Sequence, residues 1–255
     1  MAQRSYKTRG IVIRKTKLGE TDLIITLLAE DGSKLQVVAK GARKPTSQFA
    51  ARLELYSICD LHCAVGKSLD IVTEARLAPG FGTRLSVEQS LCAAPIAELL
   101  CAMAQESLSH PVLFDMSAEA LRTISRSSYE TGLCICAAAL WKLMSVEGFR
   151  PALDNCVGCG REIDLGTQQK GIAVSAAEGG VFCGDCPAPG DFVIVDPVLL
   201  QWVKSLIYST FSRIADEPCS SETTSALLQF ARSWSRVHVG ANLKSLDFVF
   251  TSGIS

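Results

Sequence analysis

The 255-residue sequence lacks most of what would mark an exported, membrane-spanning or nucleotide-hydrolysing protein. Its first ten residues, MAQRSYKTRG, are basic and hold no apolar signal-peptide core, so nothing there directs export. The most apolar helical stretch, Leu133 to Met144, is broken by Lys142 and falls short of the ~20 residues that cross a bilayer. It reads as a buried core helix; no membrane partner is expected, and the cytoplasm is the default location. There is no low-complexity tract and no fixed-period repeat, which excludes a disordered chain and a solenoid. Gly66-Lys67-Ser68 looks like the end of a P-loop, but Leu61 stands where its first glycine belongs and a strand, not a helix, follows. An ATPase is therefore excluded. The three histidines, His62, His110 and His238, form no HExxH helix and begin no H-x-E, so zinc hydrolase and deaminase chemistry is also excluded and no enzyme is expected.

Two things are present in excess. Eleven cysteines are many, and their odd number together with the missing export signal favours reduced thiols, some of them metal ligands. The charge is also unevenly spread. Residues 1–85 carry 14 Lys/Arg against 8 Asp/Glu, whereas residues 86–255 carry 11 against 18. A basic first third joined to an acidic body points to a polyanion as the partner of the first third, against the plainer alternative of a solvated surface.

Residues 6 to 77 read as five strands: Tyr6–Lys15, Thr21–Ala29, Lys34–Lys40 after the turn Glu30-Asp31-Gly32-Ser33, a fourth with period 2 from Leu53 to Val65, and Leu69–Leu77. Five short antiparallel strands in about 75 residues fit a small OB-type barrel, although periodicity equally permits an SH3-like one. On the fourth strand Cys59 and Cys63 would lie roughly 13 Å apart, too far to share an ion, so they read as small core residues and His62 as an ordinary surface residue. Candidate nucleic-acid contacts are Lys7, Arg9, Arg14 and Lys15 on the first strand and Lys40, Arg43 and Lys44 after the third. The segment Lys40-Gly41-Ala42-Arg43-Lys44-Pro45 is the densest cluster, in a loop where long cations reach phosphates. Tyr6, Phe49 and Tyr56 are the few stacking candidates, so binding mainly through the nucleic-acid backbone is expected.

From about Arg84 the pattern becomes helical. Ser86 caps a helix through Met103, Ser117 with Glu119 opens a second, and Tyr129–Val146 is apolar on several sides, as in the centre of a bundle. Asp196-Pro197 starts another helix whose apolar face runs from Leu199 to Phe211, and Ser221 begins a last long helix that ends at Gly240. Trp141, Trp202 and Trp234 read as core anchors. The expected domains are a barrel over 1–80, a helical domain over 81–150 and 195–255, and a cysteine region over 151–194 inserted in it.

That insert carries the strongest local signal: Cys156-Val-Gly-Cys159-Gly and Cys183-Gly-Asp-Cys186-Pro, a C-x2-C-x23-C-x2-C pattern. Two residues between cysteines let both thiolates reach one ion, and Gly158, Gly160 and Gly184 relieve the tight turns. Four soft ligands match a structural Zn2+ site with no open position for water, and Gly171–Ser175 with Gly180–Phe182 supply strands for a ribbon. A redox CxxC would need a thioredoxin-like βαβ unit, and none is present.

Three further stretches carry a resemblance. They are Glu20-Thr21-Asp22 with Val38-Ala39-Lys40-Gly41-Ala42-Arg43-Lys44, then Glu147-Gly148-Phe149-Arg150-Pro151-Ala152-Leu153 running into Cys156 and Cys159, and Gly240 followed by Leu243-Lys244-Ser245-Leu246. In this order along essentially the whole chain they resemble the RecO family of bacterial recombination mediators. The resemblance implies an α+β protein with an N-terminal OB-fold, a helical domain and an embedded four-cysteine zinc ribbon. It further implies binding of single- and double-stranded DNA, ATP-independent annealing, and work with RecR to load RecA onto DNA coated by single-strand-binding protein, whose C-terminal tail the helical domain would take. Association with the bacterial nucleoid would follow. The alternative is an RNA-binding or transcription-associated OB/zinc-ribbon module.

Overall fold

The computed structural model describes residues 4–79, 84–168, 170–188 and 190–251, which fall into two compact units, Met1–Arg126 and Ser127–Ser255. In the first unit, β1 (Ser5–Leu18), β2 (Asp22–Ala29), β3 (Lys34–Ala39), β4 (Ile58–Ala64) and β5 (Asp70–Leu77) close a barrel in the order β1-β2-β3-β5-β4. β1 serves two partners. Its Gly10–Leu18 stretch pairs with β2 and its Ser5–Ile11 stretch with β4. A register skip between Val12 and Arg14 marks a bulge that bends the strand around the barrel. The ring is closed by the parallel pairing of β3 with β5, Val37 against Asp70 and Val38 against Ile71. This strand order, which alternation alone leaves open, is that of an OB-fold.

The barrel is filled from alternate positions of every strand: Val12, Ile25, Leu27, Val37, Leu61 and Val72, with Cys59 and Cys63 among them. Each large aliphatic side chain taken out of water there contributes about 1.5–3 kcal/mol before chain entropy is counted. Both cysteines are fully buried, as their strand spacing predicts. The fourth strand, however, begins at Ile58 and not at Leu53. Tyr56 adopts a left-handed φ of 70°, its N–H donates to the Val12 carbonyl, and the Val12 N–H donates to the Ser57 carbonyl, so the chain turns against the β1 bulge before the strand starts. Leu53 still reaches the core, but Leu55 and Val65 are exposed.

Two helices complete this unit and lie against β1: α1 (Val87–Met103) and α2 (Pro111–Ile124). Ser86 caps α1 through a reciprocal box with Gln89, as expected. The second helix starts earlier than Ser117, which is buried in its middle. Its start signal is Pro111, whose missing N–H costs nothing at a first helical position.

The second unit is built around α3 (Tyr129–Met144), in which every residue from Cys134 to Met144 is buried. With the turn at Ser145–Phe149 it reaches 21 residues and has the length and composition of a membrane span, yet it is the inner helix of a bundle. Around it pack α4 (Pro197–Tyr208), α5 (Phe211–Asp216) and α6 (Ser221–His238); α7 (Leu246–Thr251) follows. Trp141 and Trp234 lie at the centre with Phe230, ring centroids 5.1–6.1 Å apart, and the Trp234 indole donates to the Phe149 carbonyl at 2.7 Å. Trp202 is only half-buried. Lys142, an unexpected buried cation, donates to the carbonyl of Ile207 near the C-terminal end of α4, at 2.7 Å, and lies over the Phe211 ring. The face predicted to run on to Phe211 is interrupted after Tyr208, because Thr210 caps the separate helix α5.

Between α3 and α4 the chain forms a small sheet in the order β7-β6-β8: β6 (Ile172–Ser175), β7 (Gly180–Phe182) and β8 (Val193–Val195). The third strand is not legible as one in the sequence.

Candidate nucleic-acid interface and metal centre

The seven predicted cationic contacts differ in their partners. Lys7 and Arg9 project from the outer face of β1 opposite His62 and Asp60 of β4. Arg9 is held there by a two-pronged ion pair with Asp60, 2.7 and 3.1 Å, and Arg76 pairs with Glu74 alongside. With Glu30 also lining this shallow cleft, the face is close to charge balance. Lys15 is engaged by Glu54 at 3.4 Å, and Arg14 is exposed.

Lys40, Arg43 and Lys44 stand together on one loop. All three are exposed and none makes an ion pair among the described residues, a condition that Lys7 and Arg14 share singly on β1. Their loop is fastened to the β1–β2 hairpin by three bonds: Gly41 N–H donates to Asp22 Oδ1 (2.8 Å), Arg43 N–H to the Thr21 carbonyl (2.9 Å), and the Arg43 guanidinium to the Gly19 carbonyl (2.8 Å). The Gly41 bond, with one from the Thr21 hydroxyl, holds the Asp22 carboxyl below the usual carboxylate range. The loop is therefore positioned, not loose, and its lysines flank a groove lined also by Gln48, Phe49, Arg52, Thr73 and a single acid, Glu74. Arg52 is not among the cations that sequence reasoning singles out. It lies between the stretch that reads as loop and the one that reads as strand, and its guanidinium is held by donation to the Ala75 carbonyl of β5 at 3.2 Å.

The aromatic candidates offer little to stack on. Tyr6 donates its hydroxyl to Asp70 at 2.7 Å, Phe49 packs against the barrel core, and Tyr56 is half-buried in its turn. This surface can grip phosphates and offers bases few flat partners.

The four predicted cysteine ligands do converge. The sulfurs of Cys156, Cys159, Cys183 and Cys186 all lie within 4.8 Å of one another. Cys159 and Cys183 are 3.7 Å apart, close to the edge of about 3.8 Å in a tetrahedron of ~2.3 Å metal–sulfur bonds. Gly160 turns the first knuckle with φ 77°, and a side chain at Gly158 would press on the Cys186 sulfur at 3.3 Å. Burial raises the Cys156 thiol, but backbone N–H groups of Cys183, Cys159 and Gly158 outweigh it and bring the group down to about 6. The Cys183 N–H donates to this sulfur at 3.2 Å. The donor set thus fits a thiophilic cation, and four thiolates fill a tetrahedral shell. An Arg161–Asp185 ion pair ties the two knuckles together. Sequence spacing does not reveal that pair, although both residues sit beside ligands.

Comparison with known proteins agrees with this arrangement. The family described as "Recombination protein O N terminal" matches residues 1–81, and "Recombination protein O C terminal" matches residues 84–247. A DNA repair protein RecO of Desulfitobacterium hafniense is 33% identical over 78% of this chain and 69% of its own. One from Rubrobacter xylanophilus is 31% identical over 79% of this chain and 80% of its own, and one from Dehalococcoides mccartyi is 30% identical over 87% and 86%. With a five-stranded barrel at the front, a helical region and a four-cysteine cluster behind it, the chain belongs to the RecO family of DNA repair and recombination proteins.

Proposed function

We propose that this protein is a recombination mediator that binds single- and double-stranded DNA through its barrel, anneals complementary strands without ATP, and with RecR helps load RecA. The observation that carries the reading is the fastened loop bearing Lys40, Arg43 and Lys44, exposed and outside any ion pair among the described residues. Phosphates held by such cations leave base edges free, so a second strand can pair while both backbones are screened. That process consumes no nucleotide. Lys7, Arg9, Arg14 and Lys15 act as outlying contacts, weaker because Arg9 and Lys15 already have acidic partners.

In this reading the quartet holds Zn2+ as a structural ion, and the ribbon over 151–194 braces the helical unit without touching the chemistry. By family resemblance the helical unit takes the C-terminal tail of the single-strand-binding protein, and the protein works in the bacterial cytoplasm.

An annealing assay with complementary oligonucleotides, free of ATP, with and without single-strand-binding protein, tests the proposal. Accelerated pairing in both conditions is expected, and no acceleration in either would overturn it. Competition with RNA of the same sequence separates this from an RNA-binding role, which a clear RNA preference would establish.

A further inference from the structure

We propose that Cys134 and Cys219 form a peroxide-oxidisable dithiol whose disulfide pins α3 to the start of α6. Their sulfurs are 2.9 Å apart, within about 0.9 Å of a disulfide bond length of ~2.05 Å. Cys134 sits on the second turn of α3, and Cys219 directly precedes Ser220, the cap of α6. Neither belongs to the metal quartet. The barrel cysteines, by contrast, stand four residues apart along one strand.

The surroundings prepare Cys219 as the nucleophile. The first turn of the 18-residue helix α6 directs N–H groups toward its N-terminal end, where negative charge is favoured. Thr224 Oγ1 lies 3.4 Å from the Cys219 sulfur. Hydrogen bonding with Cys134 and with Thr224 outweighs burial and holds the Cys219 thiol below its usual range. A cavity of about 360 Å³, lined by Tyr129, Glu130, Leu133, Thr224, Ser225 and Leu228, ends at Thr224, the residue in contact with the Cys219 sulfur; both cysteines are themselves buried behind it.

The chemistry balances with a hydroperoxide as oxidant. The Cys219 thiolate attacks one peroxide oxygen and the O–O bond breaks, leaving Cys219 as a sulfenic acid; the other oxygen departs as hydroxide and takes up the proton that Cys219 released, giving the first water. The Cys134 sulfur then attacks the sulfenic sulfur, forming the S–S bond and breaking S–O. The departing hydroxide takes the Cys134 proton and leaves as water. Overall, two thiols and one peroxide give a disulfide and two waters, and a small dithiol reverses the step by exchange. The closed loop would enclose the ribbon, α4 and α5, so the cross-link removes freedom from the unfolded chain where the metal knuckles lie.

The test uses the full metal-loaded protein and stoichiometric hydrogen peroxide. After an acid quench, denaturation and N-ethylmaleimide blocking, peptides are mapped by mass spectrometry with and without dithiothreitol. The expected result is a reducible peptide pair joining Cys134 to Cys219 before the quartet thiols are lost, with a rise in Tm of roughly 5–10 °C. A C219S variant should show neither. Because the mapping is done on the unaltered chain, the outcome does not depend on how well that variant folds. If both thiols still take maleimide once the quartet is oxidised, or if either links to another cysteine, the proposal is overturned.

Discussion

The same amino acid plays opposite parts in the two units. In the barrel, Cys59 and Cys63 are fully buried among aliphatic side chains, and burial pushes their thiols up to about 12 and about 11. They are protonated packing groups, Cys59 donating to the Arg52 carbonyl at 2.8 Å. In the ribbon, four sulfurs crowd together; backbone N–H groups lower the Cys156 thiol, while hydrogen bonds with Cys159 and Cys183 raise that of Cys186, so the quartet shares its protons as one cluster. The difference is one of backbone, not of residue type. Strand geometry keeps alternate sulfurs apart in an apolar interior, while two tight knuckles aim sulfurs and N–H groups at one point. The barrel is therefore held by its core, and the ribbon by whatever its sulfurs bind.

Predictions that try to break this contrast can be ranked by expected size. The largest effect belongs to C156S or to chelation. Structural metal binding of this kind supplies on the order of 10 kcal/mol, so ribbon order and stoichiometric metal should both be lost while barrel resonances persist in NMR spectra. Stoichiometric metal retained by C156S would refute the ligand assignment. In the barrel, C59A should cost about 1 kcal/mol in denaturant melts, through lost burial and one hydrogen bond, and leave the metal content unchanged. Metal loss there would mean that the two units are not independent in this respect.

Smaller effects sharpen the picture at the loop proposed to bind DNA. Because the Asp22 carboxyl is held below its ordinary value of 3.8, its anchoring of Gly41 is fully present above that pH and is lost as pH falls through the lower folded value. An NMR titration should place the Asp22 midpoint below 3.8; a midpoint at or above it would contradict the tether. The smallest effect is expected from R9A. Its partner already neutralises Arg9, and exposed ion pairs of this kind contribute about 0.2–1 kcal/mol, so DNA affinity should change less than about two-fold. A larger loss would move the interface onto the outer face of β1 and β4.

Much of this is legible in the sequence because local rules and the fold agree. Alternation marks the strands, capping residues such as Ser86 and Asp196 mark helix starts, and paired C-x2-C knuckles mark the four-cysteine cluster that could hold a metal ion. The departures share a cause. The start of β4 is hidden because Leu53 and Leu55 continue the alternation, while the left-handed Tyr56 that ends it is a tertiary response to the β1 bulge. The start of α2 is hidden because His110 makes no side-chain cap, leaving Pro111 as the sole signal. Among the cationic candidates, composition does not tell Lys40 or Lys44 from Arg9 and Lys15. Only the pairing of β1 with β4 and the turn carrying Glu54 bring Asp60 and Glu54 to the latter two.

The most direct test of the claim that the fastened loop grips the nucleic-acid backbone is a salt titration of single-stranded DNA binding by the intact protein and by the K40A/R43A/K44A variant. With about 0.7 counterions released per phosphate contact, the slope of log K against log salt should flatten by roughly 2, with affinity reduced alike across sequences. An unchanged slope and affinity would mean that the phosphates are held elsewhere.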